Sequence, residues 1–419
     1  MMVFISVYGV VDGFFVSNYA GKTAFAAVNL IMPYLMLMGG AGFMIGTGGS
    51  ALVAMVLGQK DEARAQRNFA MCIEFAILLG AVLTVLGIAA LPAVARALGA
   101  DETLLPLCVA YGRIDLSFGI AFVLQSVFQS FLVTAERPRL GFAVTLAAGF
   151  ANMILDWVFV AKFGWGIEGA ALATGVSECV GGFVPLVYFL CPNKSLLRLR
   201  PAVMKLRVLV RVCTNGISEL LNNISSSLVS MVFNWQLLRY AGEDGVAAYG
   251  VLMYVCFIFI AMFVGYAVGT APIVSFHYGA GNRPEMRSLL RKSMTVMAVS
   301  GVVMVLAGQL LAHPLAALFV GYDEALCRMT ERAFHIFALS FLLTGMNIYA
   351  SSFFTALNNG LVSAVISILR TLVFELLAVM VLPMIFGIGG IWSALTVAEA
   401  LAFAVSMAFL AGLRKKYGY

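Results

Sequence analysis

Asp156 stands in the stretch NMILDWVF, flanked by Met153, Ile154, Leu155, Trp157, Val158 and Phe159. A carboxylate near the centre of a membrane helix costs about 2.5–3.5 kcal/mol on the lenient insertion scale, so its presence asks for a chemical role. Asn152 lies one helical turn earlier, which puts both groups on one helix face. Asp12 and Thr174 occupy two other apolar stretches, 2–20 and 167–191. Counted from the expected outer ends of their stretches, Asp12, Asp156 and Thr174 lie at a common depth, roughly 8–12 Å in at 1.5 Å per residue. Carboxylates and neutral oxygens form a hard-ligand set suited to H+ or Na+, with no soft ligand for zinc or copper. Gln129, in the stretch 113–133, is a further candidate. The competing account of Asp156 is that it snorkels to the outer interface or pairs with Lys162, six residues on and not on the same face.

A second constellation is a polar stripe in 213–238: Asn215, Glu219, Asn222, Asn223, Ser226, Ser230 and Asn234. Steps of three and four put these on one face of an otherwise apolar helix. Such a stripe must face protein or water, so it is assigned to a central substrate cavity; for Glu219, near one end, snorkelling competes. Glu178, Arg370, Glu375 and Glu399 are further charges inside apolar stretches and join that assignment. One arginine cannot neutralise three carboxylates, so some of these acids are protonated, solvated or tied to neighbouring helices. His277, His313 and His335 have no partner spaced as a metal or nucleophile site. No catalytic residue, metal site or cofactor is therefore expected.

The elements that carry these residues follow from composition. Of 419 residues, 62% are hydrophobic and 11% charged, with mean hydropathy +0.99, which makes lipid the solvent. Apolar stretches of spanning length recur near 2–20, 24–56, 68–91, 113–133, 139–161, 167–191, 213–238, 245–277, 293–311, 333–356, 361–386 and 389–411. The second is too long for one straight span and predicts a tilt, or a break around Gly39-Gly40 or Gly46–Gly49. Long continuous runs with internal Gly and Pro exclude a β-barrel. Most of the 26 basic residues fall in alternate loops, which sets both termini in the cytoplasm by the positive-inside bias. The +6 net charge thus reports orientation, and nucleic acid is a poor partner for it. The seven cysteines show neither disulfide nor metal-ligand spacing, and no cleavable signal peptide is read at the start.

A constant shift of 221 residues superposes the two halves. It carries Tyr19-Ala20-Gly21 onto Tyr240-Ala241-Gly242, Gly58 onto Gly279, Thr134-Ala135 onto Thr355-Ala356, Gly166 onto Gly387 and Glu178 onto Glu399. Six spans per repeat predict parallel repeats about an axis along the membrane normal. The expected organisation is an all-α membrane protein of twelve transmembrane helices: a six-helix lobe at 1–191, a basic linker at 192–211 and a second six-helix lobe at 212–419. The offset also places about ten residues of the first helix upstream of Met1.

With repeat and motifs in hand, the chain resembles the multidrug and toxic compound extrusion (MATE) family. The resemblance is carried by VVDGFFVSNYAG at 10–21, FAAVNLIMP at 25–33, LGQKDEARAQR at 57–67, TAERPR at 134–139, NMILDWVF at 152–159, GIEGAALAT at 166–174 and HYGAGN at 277–282. It implies an inner-membrane, monomeric antiporter that exports drug-like cationic amphiphiles in exchange for H+ or Na+, with Asp12, Asn152, Asp156 and Thr174 matching the family's cation site. The alternative is a lipid-linked precursor flippase of the same superfamily, which calls for a more basic cavity than one buried Arg370 supplies.

Overall fold

The computed structural model describes every residue except Lys194 and Tyr322, and every side chain of the rest but that of Lys22. The described residues form helices and no strands. In the first half α1 (Met2–Phe15) runs into a π-helical turn at Val16–Ala20. There follow α2 (Lys22–Gly58), α3 (Glu62–Ala97), α4 (Leu104–Ser117), α5 (Gly119–Thr134), α6 (Pro138–Asp156), which continues as a π-helical Trp157–Lys162, and α7 (Gly166–Leu190). The second half contains α8 (Leu206–Gly279), α9 (Arg283–Val320), α10 (Glu324–Phe337), α11 (Phe341–Ala356), α12 (Gly360–Ile368), a π-helical Leu369–Phe374, α13 (Glu375–Phe386) and α14 (Ile388–Tyr417).

Among the described residues, ten helical stretches are long and apolar enough to cross a membrane, and the α4–α5 pair, bent by 58°, makes an eleventh. At 74 residues α8 would measure about 110 Å as a straight rod, far beyond one bilayer crossing. Its backbone breaks at Gly242 (φ 65°, ψ −152°), which divides it into two crossings and gives the expected twelve.

The break anticipated in α2 is absent: Lys22–Gly58 is one 37-residue helix with Pro33 inside it. Its glycines serve packing instead. A Cβ added at Gly42 would sit 2.8 Å from the Val123 carbonyl oxygen, and one at Gly46 would sit 3.1 Å from the Val127 Cα. The missing side chains let α2 and α5 meet backbone to backbone, the close approach that small residues allow where lipid supplies no hydrophobic drive.

The 221-residue offset reappears as matched local geometry. Gly21 and Gly242 both turn the chain at positive φ, 94° and 65°, and Gly166 and Gly387 share φ 57°. Asp61 caps α3 by accepting from the Arg64 N–H at 3.0 Å, and its repeat equivalent Asn282 caps α9 through the Glu285 N–H at 3.3 Å.

The chain divides into two compact units, 1–220 and 221–419. The first holds α1 to α7 with the start of α8, and in it the segment expected as a linker is tied down. Ser195 Oγ donates to the Ala135 carbonyl at 3.2 Å, the Leu199 N–H to the Phe189 carbonyl at 3.1 Å, and the Ala202 N–H to Glu74 Oε1 at 3.3 Å. The second unit packs Phe233, Phe263, Phe337, Tyr349 and Phe353 into one core. Exposed stripes such as Leu78, Val82, Val85 and Leu86 on α3, and Val299, Val302, Val303, Leu306 and Leu310 on α9, recur at helical spacing and suit contact with lipid tails.

Candidate functional site

The first unit's site begins with a glycine. A Cβ at Gly149 on α6 would lie 2.8 Å from the Tyr8 ring and closer still to Phe4. Its absence draws α1 onto α6. Phe4, Tyr8 and Asp12 share one face of α1 at steps of four, while Gly149, Asn152 and Asp156 share one face of α6 at steps of three and four. Asp12 and Asp156 are therefore brought together, and their carboxyls interact across the two helices. The π-helical turns Val16–Ala20 and Trp157–Lys162 follow these acids and touch each other. Such wide turns often mark functional positions.

Asp156 is 0% exposed, Asn152 1% and Asp12 9%. Both Asp156 oxygens, Asp12 Oδ1 and Asn152 Oδ1 have no hydrogen-bond partner at ordinary geometry. Lys162 does not answer Asp156; its ammonium lies 5.8 Å from the centre of the Trp157 ring. Four buried oxygens so placed form a hard donor set on which a bare charge is costly. The donor set thus fits H+ or Na+. Thr174 on α7 is half-buried and reaches the Tyr111 hydroxyl. Among the described residues no group of three His, Cys, Asp or Glu side chains is arranged to hold a metal.

Asp115 was not singled out from sequence. It sits on α4, 7% exposed, three residues before the bend at Phe118, and interacts electrostatically with Asp12 and Glu178. Glu178 on α7 is 6% exposed with Oε2 unpartnered. The signal that could have found Asp115 is LLPLCVAYG at 104–112, an apolar run that extends the span backwards and moves the acid away from its end. Tyr111, one turn before Asp115, lies within reach of Asp12, Asp115 and Glu178. Tyr8 contacts the Gln125 side chain and faces Glu178 and Asp12.

Gln129 on α5 is buried, with Oε1 unpartnered, and lines a small cavity with Gln125, Leu132 and Thr145. That cavity does not include Asp12 or Asp156.

In the second unit Arg370 and Glu399 form a buried ion pair, Nη2 to Oε1 at 2.8 Å and Nε to Oε1 at 2.9 Å. Asn347 Nδ2 donates to Glu399 Oε2 at 2.6 Å and to its carbonyl at 2.9 Å. Glu375, first residue of α13, lies in electrostatic range of both partners. On α8, Asn215 is buried, Glu219, Asn222, Asn223 and Ser230 are half-buried, and Ser226 and Asn234 are exposed. The Asn222 Oδ1 is buried without a partner.

The MatE family model matches residues 1–158 and 220–381. The multidrug export protein MepA of Staphylococcus saprophyticus is 24% identical over 415 residues, covering 98% of this chain and 90% of its own. The crystal structure of a MATE protein in complex with MaL6 superposes with TM-score 0.93 at 22% identity, covering 99% of this chain and 95% of that one. A MOP superfamily transporter from Pyrococcus furiosus, reported with a binding pocket of reversed polarity that suggests a different function, superposes with TM-score 0.93 at 21% identity, covering 100% and 94%. The fold is thus that of MATE transporters, and with a family model matched over most of its length this chain belongs to the MatE family of membrane transporters.

Proposed function

We propose that the protein is a multidrug efflux antiporter of the inner membrane, exporting cationic amphiphilic compounds in exchange for H+ or Na+. The observation that carries this reading is the completely buried Asp156 with both carboxylate oxygens unpartnered, opposite Asp12. A group so placed is tolerable when protonated or cation-bound, and unfavourable when bare. If outside cations bind there and favour the substrate-releasing conformation, the ion and the substrate prefer different states, which is what coupling requires. The substrate class is suggested by the relatives named multidrug export protein. The α8 residues Glu219, Asn222, Asn223 and Ser226, with Glu375, are the candidates for substrate contact. The chain would act as a monomer with both termini cytoplasmic, from lobes at 1–191 and 212–419 joined by 192–211. Phosphate-bearing lipid precursors suit the site less, because Arg370 is already engaged by Glu399.

The test is efflux of a fluorescent lipophilic cation from cells expressing the protein, with external pH and Na+ varied independently. Efflux that follows one of the two gradients supports antiport and names the ion. Efflux indifferent to both, or loss of no activity in a well-expressed Asp156→Asn protein, overturns it.

A further inference from the structure

The antiport reading uses one pair of acids, Asp12 and Asp156, and leaves Asp115 and Glu178 without a task. The way the first unit holds them is specific. α4 ends at Ser117 and the chain bends by 58° before α5 continues from Gly119. α7 packs into this elbow through glycines: a Cβ at Gly175 would overlap the Phe118 ring, one at Gly181 would lie 2.6 Å from the Gln125 side chain, and one at Gly182 would lie 2.5 Å from the Ala121 carbonyl oxygen. Positions 175, 178 and 182 share one helix face, so Glu178 enters the elbow between the two glycine contacts. Asp115 stands one turn before Phe118, buried, and within electrostatic range of Glu178.

Among the described residues no base accompanies the pair. From α1 come Tyr8 and Asp12, from α4 Tyr111, from α6 Asp156, from α7 Cys179, and from α5 the neutral Gln125. Arg113 on α4 is exposed. The only charged residue of α2 is Lys22 at its start, and on α3 Glu74 is engaged by the Ala202 N–H while Arg96 lies in the last turn. The repeat supplies the contrast. Glu399, the equivalent of Glu178, is answered by Arg370 at 2.8 Å. The position equivalent to Arg370 in the first unit is Gly149, which has no side chain to offer. In place of a guanidinium, Glu178 faces another acid, and its Oε2 is left without a partner.

We propose that Asp115 and Glu178 form a second monovalent-cation site, for H+ or Na+, in the α4–α5 elbow, so that the first unit takes up two cations in each transport cycle. This rests on the antiport reading. Tyr111 and Tyr8 are each in electrostatic range of both Asp12 and Glu178, which places the two tyrosines near both pairs of acids.

The experiment is ethidium counterflow in proteoliposomes containing the purified protein, with the membrane potential set against a proton gradient in one arm and a Na+ gradient in the other. Exchange of two cations per ethidium moves one net charge and has a potential that nulls net flux, whereas one-for-one exchange is electroneutral and does not respond to the potential. The expected ratio is about two for the wild type and about one for Asp115→Asn and for Glu178→Gln. An unchanged ratio in both variants, or a wild-type ratio of one, overturns the second site and leaves antiport standing. Absence of any ion-driven flux in the wild type instead sinks the antiport reading. Should the elbow variants fail to fold, equilibrium binding of 22Na+ and proton uptake by purified Asp156→Asn decide the matter. One cation still bound supports the elbow site, and none refutes it.

Discussion

Arg370 holds Glu399 in a buried pair at 2.8 Å, and Asn347 closes the opposite carboxylate oxygen at 2.6 Å. Glu399 is 2% exposed, so removing its partner strands a charge in low dielectric. Arg370→Met or Glu399→Gln alone should destabilise the second unit by about 3–5 kcal/mol, as breaking buried pairs does. The Arg370→Met/Glu399→Gln double variant should recover part of that loss, because no bare charge remains. Thermal unfolding of the purified variants measures it; strictly additive losses would mean that the two groups are not coupled.

Much of this architecture was readable from residues in order. The 221-residue offset located Gly21 and Gly242 as equivalent turns, and their positive φ values agree. The depth argument grouped Asp12, Asp156 and Thr174; the structure sets Asp12 against Asp156, while Thr174 reaches the Tyr111 hydroxyl. What escaped was set by three-dimensional approach. Asp115 lies two residues into the expected span 113–133, and only the apolar run at 104–112, joined to that span across the bend at Phe118, moves it away from an end. The Arg370–Glu399 pairing crosses 29 residues and three helical segments, and composition could count those charges without matching them. The glycines of α2 read as a break because glycine is a poor helix former; their packing role appears only once α5 lies against them.

Gly48 and Gly216 make the tightest seam in the first unit. A Cβ at Gly48 would overlap the Val212 carbonyl oxygen, and one at Gly216 would overlap that of Met44. The obstacle is backbone, which cannot rotate away. Gly48→Ala and Gly216→Ala should each cost about 1–3 kcal/mol or more, while Gly269→Ala, at the repeat position of Gly48 with open space around it, should be neutral or gain up to about 1 kcal/mol. Purified yield and melting temperature of the three variants check this. Equal tolerance at Gly48 and Gly269 would contradict it.

Gly242 divides the long helix α8 at φ 65°. With ψ at −152° this is the positive-φ extended region that glycine alone adopts readily, so a side chain there costs about 1–3 kcal/mol. Gly242→Ala and Gly242→Asn should therefore both lower the melting temperature, because this region lies outside the left-handed helical well that asparagine tolerates. A melting temperature equal to the wild type in either variant would show that φ and ψ do not set the preference.

Asp12 and Asp156 lie on different helices yet serve one site in this reading. Asp156→Asn keeps size and hydrogen-bonding capacity but cannot exchange a proton, and it weakens a Na+ ligand. Each orphaned oxygen of Asp156 is buried where a bare charge is costly, so the amide should leave the fold intact, with a melting temperature equal to or above that of the wild type. Cation-driven efflux should nevertheless fall by at least tenfold in Asp156→Asn and in Asp12→Asn. If one cation is shared, the first substitution already removes coupling and the second has little left to remove. The double variant should then be no worse than about twofold below either single, a strong departure from additivity. The measurements are efflux rate, expression and melting temperature for all three proteins. Multiplying losses would indicate two independent sites at these residues, and wild-type efflux from a well-expressed Asp156→Asn protein would make the carboxylate structural.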